Sequence, residues 1–231
     1  YFFEVMMDLF DMQSGEETPR RAIDRDRGPL AARMRPRNMN EFVGQSHILG
    51  KGKLLRRAIE ADRVGSIILY GVPGCGKTSL AEIIANETSR YFERTSGVLA
   101  NVSILRGLLN EAKHRKQFRG LETILFIDEI HRFNKSQQDV LLPYVEDGSI
   151  TLIGATTHNP QFFINTPLVS RSQVFQLLPL SLEDIASLLQ HALSDERGFG
   201  AEHVRMDDEA LYHIAERCEG DARRALNALE I

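Results

Sequence analysis

The sequence predicts an α/β fold, a three-layer αβα unit on a parallel sheet, followed by a small helical domain. Three observations carry that expectation. Short apolar, β-branched runs recur at residues 66–70, 124–127, 150–155 and 174–177, each of strand length. Apolar residues at helical spacing fill intervals between them, and strands separated by helices favour a parallel sheet covered on both faces. After Pro179 the strand pattern stops and only helical spacing follows. At 231 residues the chain suits one large domain or one domain with a companion.

Each element has its own signal. Ser66-Ile67-Ile68-Leu69-Tyr70 ends at Gly71 and reads as a buried strand, after which Leu80, Ile83, Ile84 and Glu87 fall on one helical face. Ile124-Leu125-Phe126-Ile127 is a second buried strand. The helix after it carries Val140, Leu141, Tyr144 and Val145 on one face, and Pro143 inside it should kink or shorten it. Residues 150–155 form the third strand and 174–177 the fourth. Ser181-Leu182-Glu183-Asp184 is a capping box that opens a helix with Ile185, Leu188, Leu189, Ala192 and Leu193 in phase. Leu211, Ile214, Ala215 and Cys218 mark a second helix, and Ala222, Ala225, Leu226 and Leu229 a third from near Asp221. The division is therefore a flexible tail over 1–28, an αβα core over 29–179 and a helical lid over 180–231.

Composition removes several function classes. No apolar run approaches the roughly 20 residues of a membrane helix, and Glu4 and Asp8 interrupt the start, unlike a secretory signal. Two cysteines, Cys75 and Cys218, cannot form a disulfide framework or a four-thiolate zinc site. Net charge is −4, so any contact with nucleic acid needs a local basic patch. Candidates are the arginines of residues 20–37, Lys51/Lys53/Arg56/Arg57 and Lys113/Arg115/Lys116/Arg119, each also readable as a solvated helix face. Residues 1–19 are acidic, without Lys or Arg.

The chemistry concentrates in two motifs. Gly71-Val72-Pro73-Gly74-Cys75-Gly76-Lys77-Thr78 has the G-x-x-x-x-G-K-[ST] spacing, after a strand and before a helix. Its glycines let successive N–H groups point at phosphate oxygens, and the helix adds its positive end. Lys77 would reach the β- and γ-phosphates, the Thr78 hydroxyl would ligate Mg²⁺, and Ser79 completes the ATP-binding run. Cys75 at a helix N-terminus could be an acidified, redox-sensitive thiol, although tolerance at a backbone-donating position is the preferred reading. About fifty residues on, the strand 124–127 delivers Asp128 and Glu129 at its carboxyl end, Asp128 for Mg²⁺ and Glu129 to polarise the attacking water. Asp128-Glu129-Ile130-His131 also spells the tetrad of some helicases, but 231 residues leave no room for their second motor domain. His131 reads as a structural or coupling residue. A hydroxyl among Thr156 and Thr157, closing the third strand, could orient that water.

Ser170-Arg171-Ser172 and Gly220-Asp221-Ala222-Arg223-Arg224 complete an order that resembles the AAA+ ATPases, in particular their clamp-loader branch. A kinase or GTPase would share the loop without explaining Arg171 and Arg223 together. Closer still, residues 29–36 (PLAARMRP), Phe42-Val43-Gly44-Gln45 and residues 128–148 (DEIHRFNKSQQDVLLPYVEDG) are similar to the replication-associated recombination protein A family. That family includes the Werner-helicase-interacting ATPases of eukaryotes, and the resemblance spans residues 29–231. It implies a Mg²⁺-dependent ATPase of replication-fork maintenance and recombination or repair that remodels DNA or DNA-bound proteins. The alternatives are a clamp-loading subunit and a protein-remodelling module indifferent to DNA.

The resemblance also assigns roles. Thr157 matches sensor 1, with Thr156 the fallback; Arg171 matches the arginine finger that enters a neighbouring subunit; Arg223 matches sensor 2. Phe42, Val43 and Gly44 match the adenine-pocket segment, and Thr95 is the candidate polar switch residue. Implied partners are DNA ends, gaps or single-stranded regions, further copies of the chain in a homotetramer, and a single-strand-binding protein or sliding clamp. The implied location is the bacterial cytoplasm, at the nucleoid. Asp8-Leu9-Phe10-Asp11 is similar to sliding-clamp-binding peptides apart from a missing glutamine. Finally, the resemblance implies initiation at Met7 and a further helical assembly domain beyond Ile231, so that this chain alone would bind ATP yet hydrolyse it poorly.

Overall fold

The computed structural model describes residues 28–202 and 204–231. The acidic stretch, Met7, residues 8–11 and the arginines at 20, 21, 25 and 27 lie outside the described residues. In chain order the elements are α1 (Leu30–Arg33), α2 (Ser46–Leu49), α3 (Leu54–Glu60), β1 (Ile67–Gly71), α4 (Lys77–Glu87), β2 (Tyr91–Ser96), α5 (Val102–Arg119) and β3 (Thr123–Asp128). They continue with α6 (Lys135–Glu146), β4 (Ile150–Thr156), α7 (Pro160–Phe163), α8 (Thr166–Ser170), β5 (Gln173–Leu177), α9 (Leu182–Ser194), α10 (Asp208–Arg217) and α11 (Ala222–Glu230).

Five parallel strands form one sheet in the order β2-β3-β4-β1-β5. The apolar runs are continuous because alternate residues serve opposite layers. Ile67, Leu69, Ile124 and Phe126 face a cluster with Leu55, Ile59, Leu80 and Ile84, from α3 and α4. Ile68, Leu125, Ile127 and Leu152 face the other cluster, with Leu105 and Leu109 of α5 and Leu141 of α6. Each such side chain, fully withdrawn from water, contributes about 1.5–3 kcal/mol. Two charged or hydroxyl-bearing ends, Asp128 of β3 and Thr156 of β4, thereby emerge beside the end of β1.

Two elements go beyond the sequence expectation. The sheet has five strands and not four, because Tyr91–Ser96 adds an edge strand, paired to β3 alone, with a half-exposed, mixed-polarity pattern. An edge strand needs no apolar run, so periodicity does not flag it. The 18-residue helix α5 is capped at Asn101, whose side chain accepts from the Ile104 N–H, but it buries only Leu105, Leu109 and Ala112. Pro143 does not break α6, which runs on to Glu146.

The helices after Pro179 form their own apolar cluster, with Ile185, Leu189, Leu211, Ala225 and Leu226 at its centre. The expected capping box is present: Ser181 Oγ accepts from the Asp184 N–H and Asp184 Oδ2 from the Ser181 N–H, each at 3.1 Å. Leu30 and Met34, placed in the core segment from sequence, pack into this helical cluster instead. The Leu30 N–H donates to Glu230 Oε1 at 2.8 Å, tying α1 to α11. No described helix is long and apolar enough to cross a membrane.

Candidate nucleotide site

The phosphate loop leaves β1 at Gly71 and enters α4 at Lys77. Gly74 and Gly76 adopt φ +70 and +99, which side-chain-bearing residues rarely do. Space forbids a side chain as well: a Cβ on Gly74 would run into the Asp221 carboxylate, and one on Gly76 would lie 2.8 Å from the Phe42 ring. Among the described residues no backbone carbonyl outside the helix accepts from the N–H groups of Gly74 to Thr78, while those of Cys75 and Lys77 approach the Cys75 sulfur. Unpaired donors curled at the start of an 11-residue helix form an anion cradle, which is what a nucleotide phosphate requires.

Lys77 Nζ donates to the carbonyls of Gly71 and Val72, each at 2.8 Å, which holds the ammonium over the loop. The Cys75 side chain is 1% exposed, and burial pushes its thiol up despite Lys77 nearby. An acidified thiol is therefore not found. Its Sγ packs in the apolar cluster beneath the loop.

A cavity of about 460 Å³ opens over the loop. It is lined by the loop from Pro73 to Ser79, by Asp128, Glu129 and Thr157 from the ends of β3 and β4, and by Arg223 of α11. Phe42 and Val43, with Met34, Leu188 and Leu226, supply apolar lining. Gly71 and Val72 act through their carbonyls behind it. Gly44, at φ +76, packs against Leu180 and Asp184 instead of lining the cavity. Its neighbour Gln45, quoted above only as part of a run, is the more consequential residue. Its side-chain amide donates to the Leu178 carbonyl at 2.7 Å and accepts from the Leu178 N–H at 2.9 Å, pinning this segment to the chain just after β5.

Electrostatics at the carboxylates are shaped by residues that sequence spacing did not reveal. Asp128 Oδ1 accepts from the Glu129 N–H at 3.1 Å, and Oδ2 lies 3.6 Å from Arg94 of β2. Arg94 stands over the Phe126 ring and also meets Glu82 at 3.7 Å, which pairs with Arg35 at 3.0 Å. Glu129 adopts φ 52, and its Oε2 lies 3.2 Å from His131 Nε2. His131 Nδ1 in turn lies 2.9 Å from Thr156 Oγ1. Thr156 is fully buried, while Thr157 reaches the cavity. Thr95 makes no hydrogen bond to Glu129 among the described residues.

Arg223 follows the Asp221 cap, whose Oδ1 accepts from the N–H groups of Arg223 and Arg224 at 2.9 and 3.1 Å. The Ala222 N–H donates to the Gly74 carbonyl at 3.3 Å, so the lid helix touches the phosphate loop directly. A second tie runs through Arg197, which pairs with Asp195 at 2.8 Å and with Glu41, just before Phe42, at 3.1 Å. Arg171 stands apart from this cavity. Its guanidinium meets Glu146 at 2.7 Å and donates to the Pro167 carbonyl at 2.9 Å. Of the basic patches, Arg115 stacks on Tyr91 and pairs with Glu93, Lys116 donates to the Gly148 carbonyl and Lys113 lies near Asp147. These three cations have structural partners, which scatters the patch.

The hard-oxygen pair Thr78 and Asp128 suits Mg²⁺, which typically takes one or two protein oxygens alongside substrate phosphates. The family model described as the Holliday junction DNA helicase RuvB P-loop domain matches residues 34–166. The replication-associated recombination protein A of Escherichia coli K12 is 52% identical over 204 residues, covering 88% of this chain and 45% of that protein. The ATPase WRNIP1 of Dictyostelium discoideum is 41% identical over 203 residues, 88% of this chain and 23% of that protein. Among solved structures, the Thermotoga maritima RuvB Holliday junction branch migration motor superposes with a TM-score of 0.70 at 31% identity, over 86% of this chain and 64% of that one. The chain spans about half the length of bacterial relatives it matches.

Proposed function

We propose that this chain, which belongs to the family of the Holliday junction DNA helicase RuvB P-loop domain and has the AAA+ fold, is the ATP-hydrolysing part of a DNA-associated ATPase. It acts in replication-fork maintenance and recombination, coupling hydrolysis to the remodelling of DNA or DNA-bound proteins. The observation that carries this reading is one cavity that gathers the phosphate loop, Asp128, Glu129, Thr157 and the lid's Arg223.

The residues divide the work. The N–H groups of Gly74 to Thr78 and the Lys77 ammonium take the phosphates, and Phe42 and Val43 with Met34, Leu188 and Leu226 flank the base. Thr78 and Asp128 hold Mg²⁺, which when bound neutralises phosphate charge. Glu129 accepts a proton from the attacking water, and Thr157 orients that water. Arg223 reports the nucleotide to the lid. Arg171, outside its own chain's cavity and half-exposed, serves a neighbouring copy, so the active form is a homo-oligomer, a tetramer by family likeness. The proposed partners are gapped, ended or single-stranded DNA, with a single-strand-binding protein or sliding clamp, in the bacterial cytoplasm at the nucleoid. The names of the relatives support the DNA and recombination setting.

The test is ATP turnover by the full-length protein with and without gapped or forked DNA. DNA should stimulate turnover, and both Lys77→Ala and Glu129→Gln should abolish it. Parental rates in those variants would overturn the mechanism. Turnover indifferent to DNA would favour a protein-remodelling module, and copurification with unlike subunits a clamp-loading one.

A further inference from the structure

We propose that His131 is a positioning residue that orients the Glu129 carboxylate for water activation and couples it to the end of β4. This rests on the reading of Glu129 as the proton acceptor. Two short contacts of the His131 ring define the arrangement. An ionised Glu129 carboxylate only accepts, so the 3.2 Å approach of its Oε2 to His131 Nε2 is attractive when that nitrogen carries the proton. Nδ1 then carries a lone pair and accepts from the Thr156 hydroxyl at 2.9 Å. The Thr156 oxygen in turn accepts from the His158 N–H at 3.0 Å. With His131 neutral the Thr156 hydroxyl donates to Nδ1, its other acceptor, the His158 carbonyl, lying farther off at 3.3 Å. Burial favours that form, outweighing the pull of Glu129, with His158 and Arg132 acting in the same direction as burial.

The surroundings leave the ring little freedom. His131 meets the His158 ring edge-on at 4.4 Å and lies 6.2 Å from the Phe163 ring centre. Its 3₁₀ turn, Ile130–Arg132, is seated on β4, where Gly154 admits Ile130: a Cβ there would lie 3.1 Å from Ile130 Cδ1. The recorded contacts of the Glu129 side chain, to His131 and to Arg132, both fall on Oε2. Oε1 has no partner among the described residues and is the atom left to take the water proton. Thr156, at the other end of the chain, immediately precedes Thr157 in the cavity. A shift at the end of β4 therefore reaches the Glu129 carboxylate through one histidine. The sequence offered Thr95 of β2 as the candidate polar switch residue; in this proposal that restraint comes from the turn after β3.

Two substitutions separate the ring's two contacts. His131→Gln keeps a donor near the Nε2 position, and His131→Asn keeps only a group near Nδ1. In the full-length protein, His131→Asn should lower kcat about 10- to 100-fold, a share of what a positioned base contributes, with the KM for ATP within about threefold. His131→Gln should retain most of kcat. In Thr156→Val, combined with His131→Asn, the double variant should be no slower than the slower single one, as linked residues require. Equal kcat in the Asn and Gln variants, a loss confined to KM, or multiplicative effects would overturn the proposal. Glu129→Gln run alongside separates the two levels. If it is inactive while His131→Asn turns over normally, only the role of His131 falls; if it is fully active, both readings fall.

Discussion

Gly74 shows how tightly single residues are specified here. It sits at φ +70 with the Asp221 carboxylate occupying the place of a side chain. Gly74→Ala should therefore cost about 1–3 kcal/mol from strain and displacement together and should weaken ATP binding, read by thermal melts with and without nucleotide. Gly107 is the counterexample, since nothing lies within 4 Å of a Cβ there, in the interior of α5. Gly107→Ala should stabilise the protein by about 0.5–1 kcal/mol in the same melt. The cysteines give a third residue-scale expectation. Both are buried, and burial pushes both thiols up. A thiol reagent at neutral pH should label neither in the native protein and both after unfolding, whereas rapid native labelling of Cys75 would restore the redox reading.

At the scale of elements, the lid is tied to the nucleotide-binding segment by charge. The Arg197 guanidinium holds the Asp195 carboxyl far below the ordinary carboxylate range, burial opposing it. A depressed folded-state value means the stabilisation is present above the unfolded value of about 3.9 and is lost as pH falls through the folded one. Arg197→Met should thus lower the melting temperature at pH 7 and flatten its further decline below about pH 4. An unchanged acid limb would refute the role of Arg197 in holding Asp195 ionised. Legibility also divides by element. Elements that bury a whole face announced themselves: β1, β3 and β4 as short apolar, β-branched runs, α9 through its capping box. Among the half-exposed ones the edge strand β5 was read from its apolar residues, but β2 and α5 were not. Tyr91–Ser96 mixes Glu93 and Arg94 with aromatics because one edge and much of one face meet solvent, and α5 spends most of its length on charged residues. The site followed the same rule. Contiguous motifs at strand ends were readable, whereas Arg94, Glu82, Arg35 and Gln45 act across 30 to 130 residues of chain and carry no local spacing.

For the whole molecule, α1 is the unexpected member of the helical cluster. Leu30 is fully buried there, so Leu30→Ala should cost about 2–5 kcal/mol, felt chiefly by the lid helices and measurable as their loss of hydrogen-exchange protection. Assembly offers a separate check. If Arg171 serves a neighbour, Arg171→Ala and Lys77→Ala proteins, each inactive alone, should regain part of their turnover on mixing, because some sites then pair an intact loop with an intact finger. No recovery after demonstrated subunit exchange would confine Arg171 to its own chain. The contact between Gly74 and the Asp221–Ala222 step carries one more consequence, for engineering. Loop and lid are complementary parts of one joint, a glycine facing an acid across a main-chain hydrogen bond. A lid grafted from a distant relative will lock onto this core only if its own step brings the matching pair, so functional chimeras should be cut on either side of the joint and never through it.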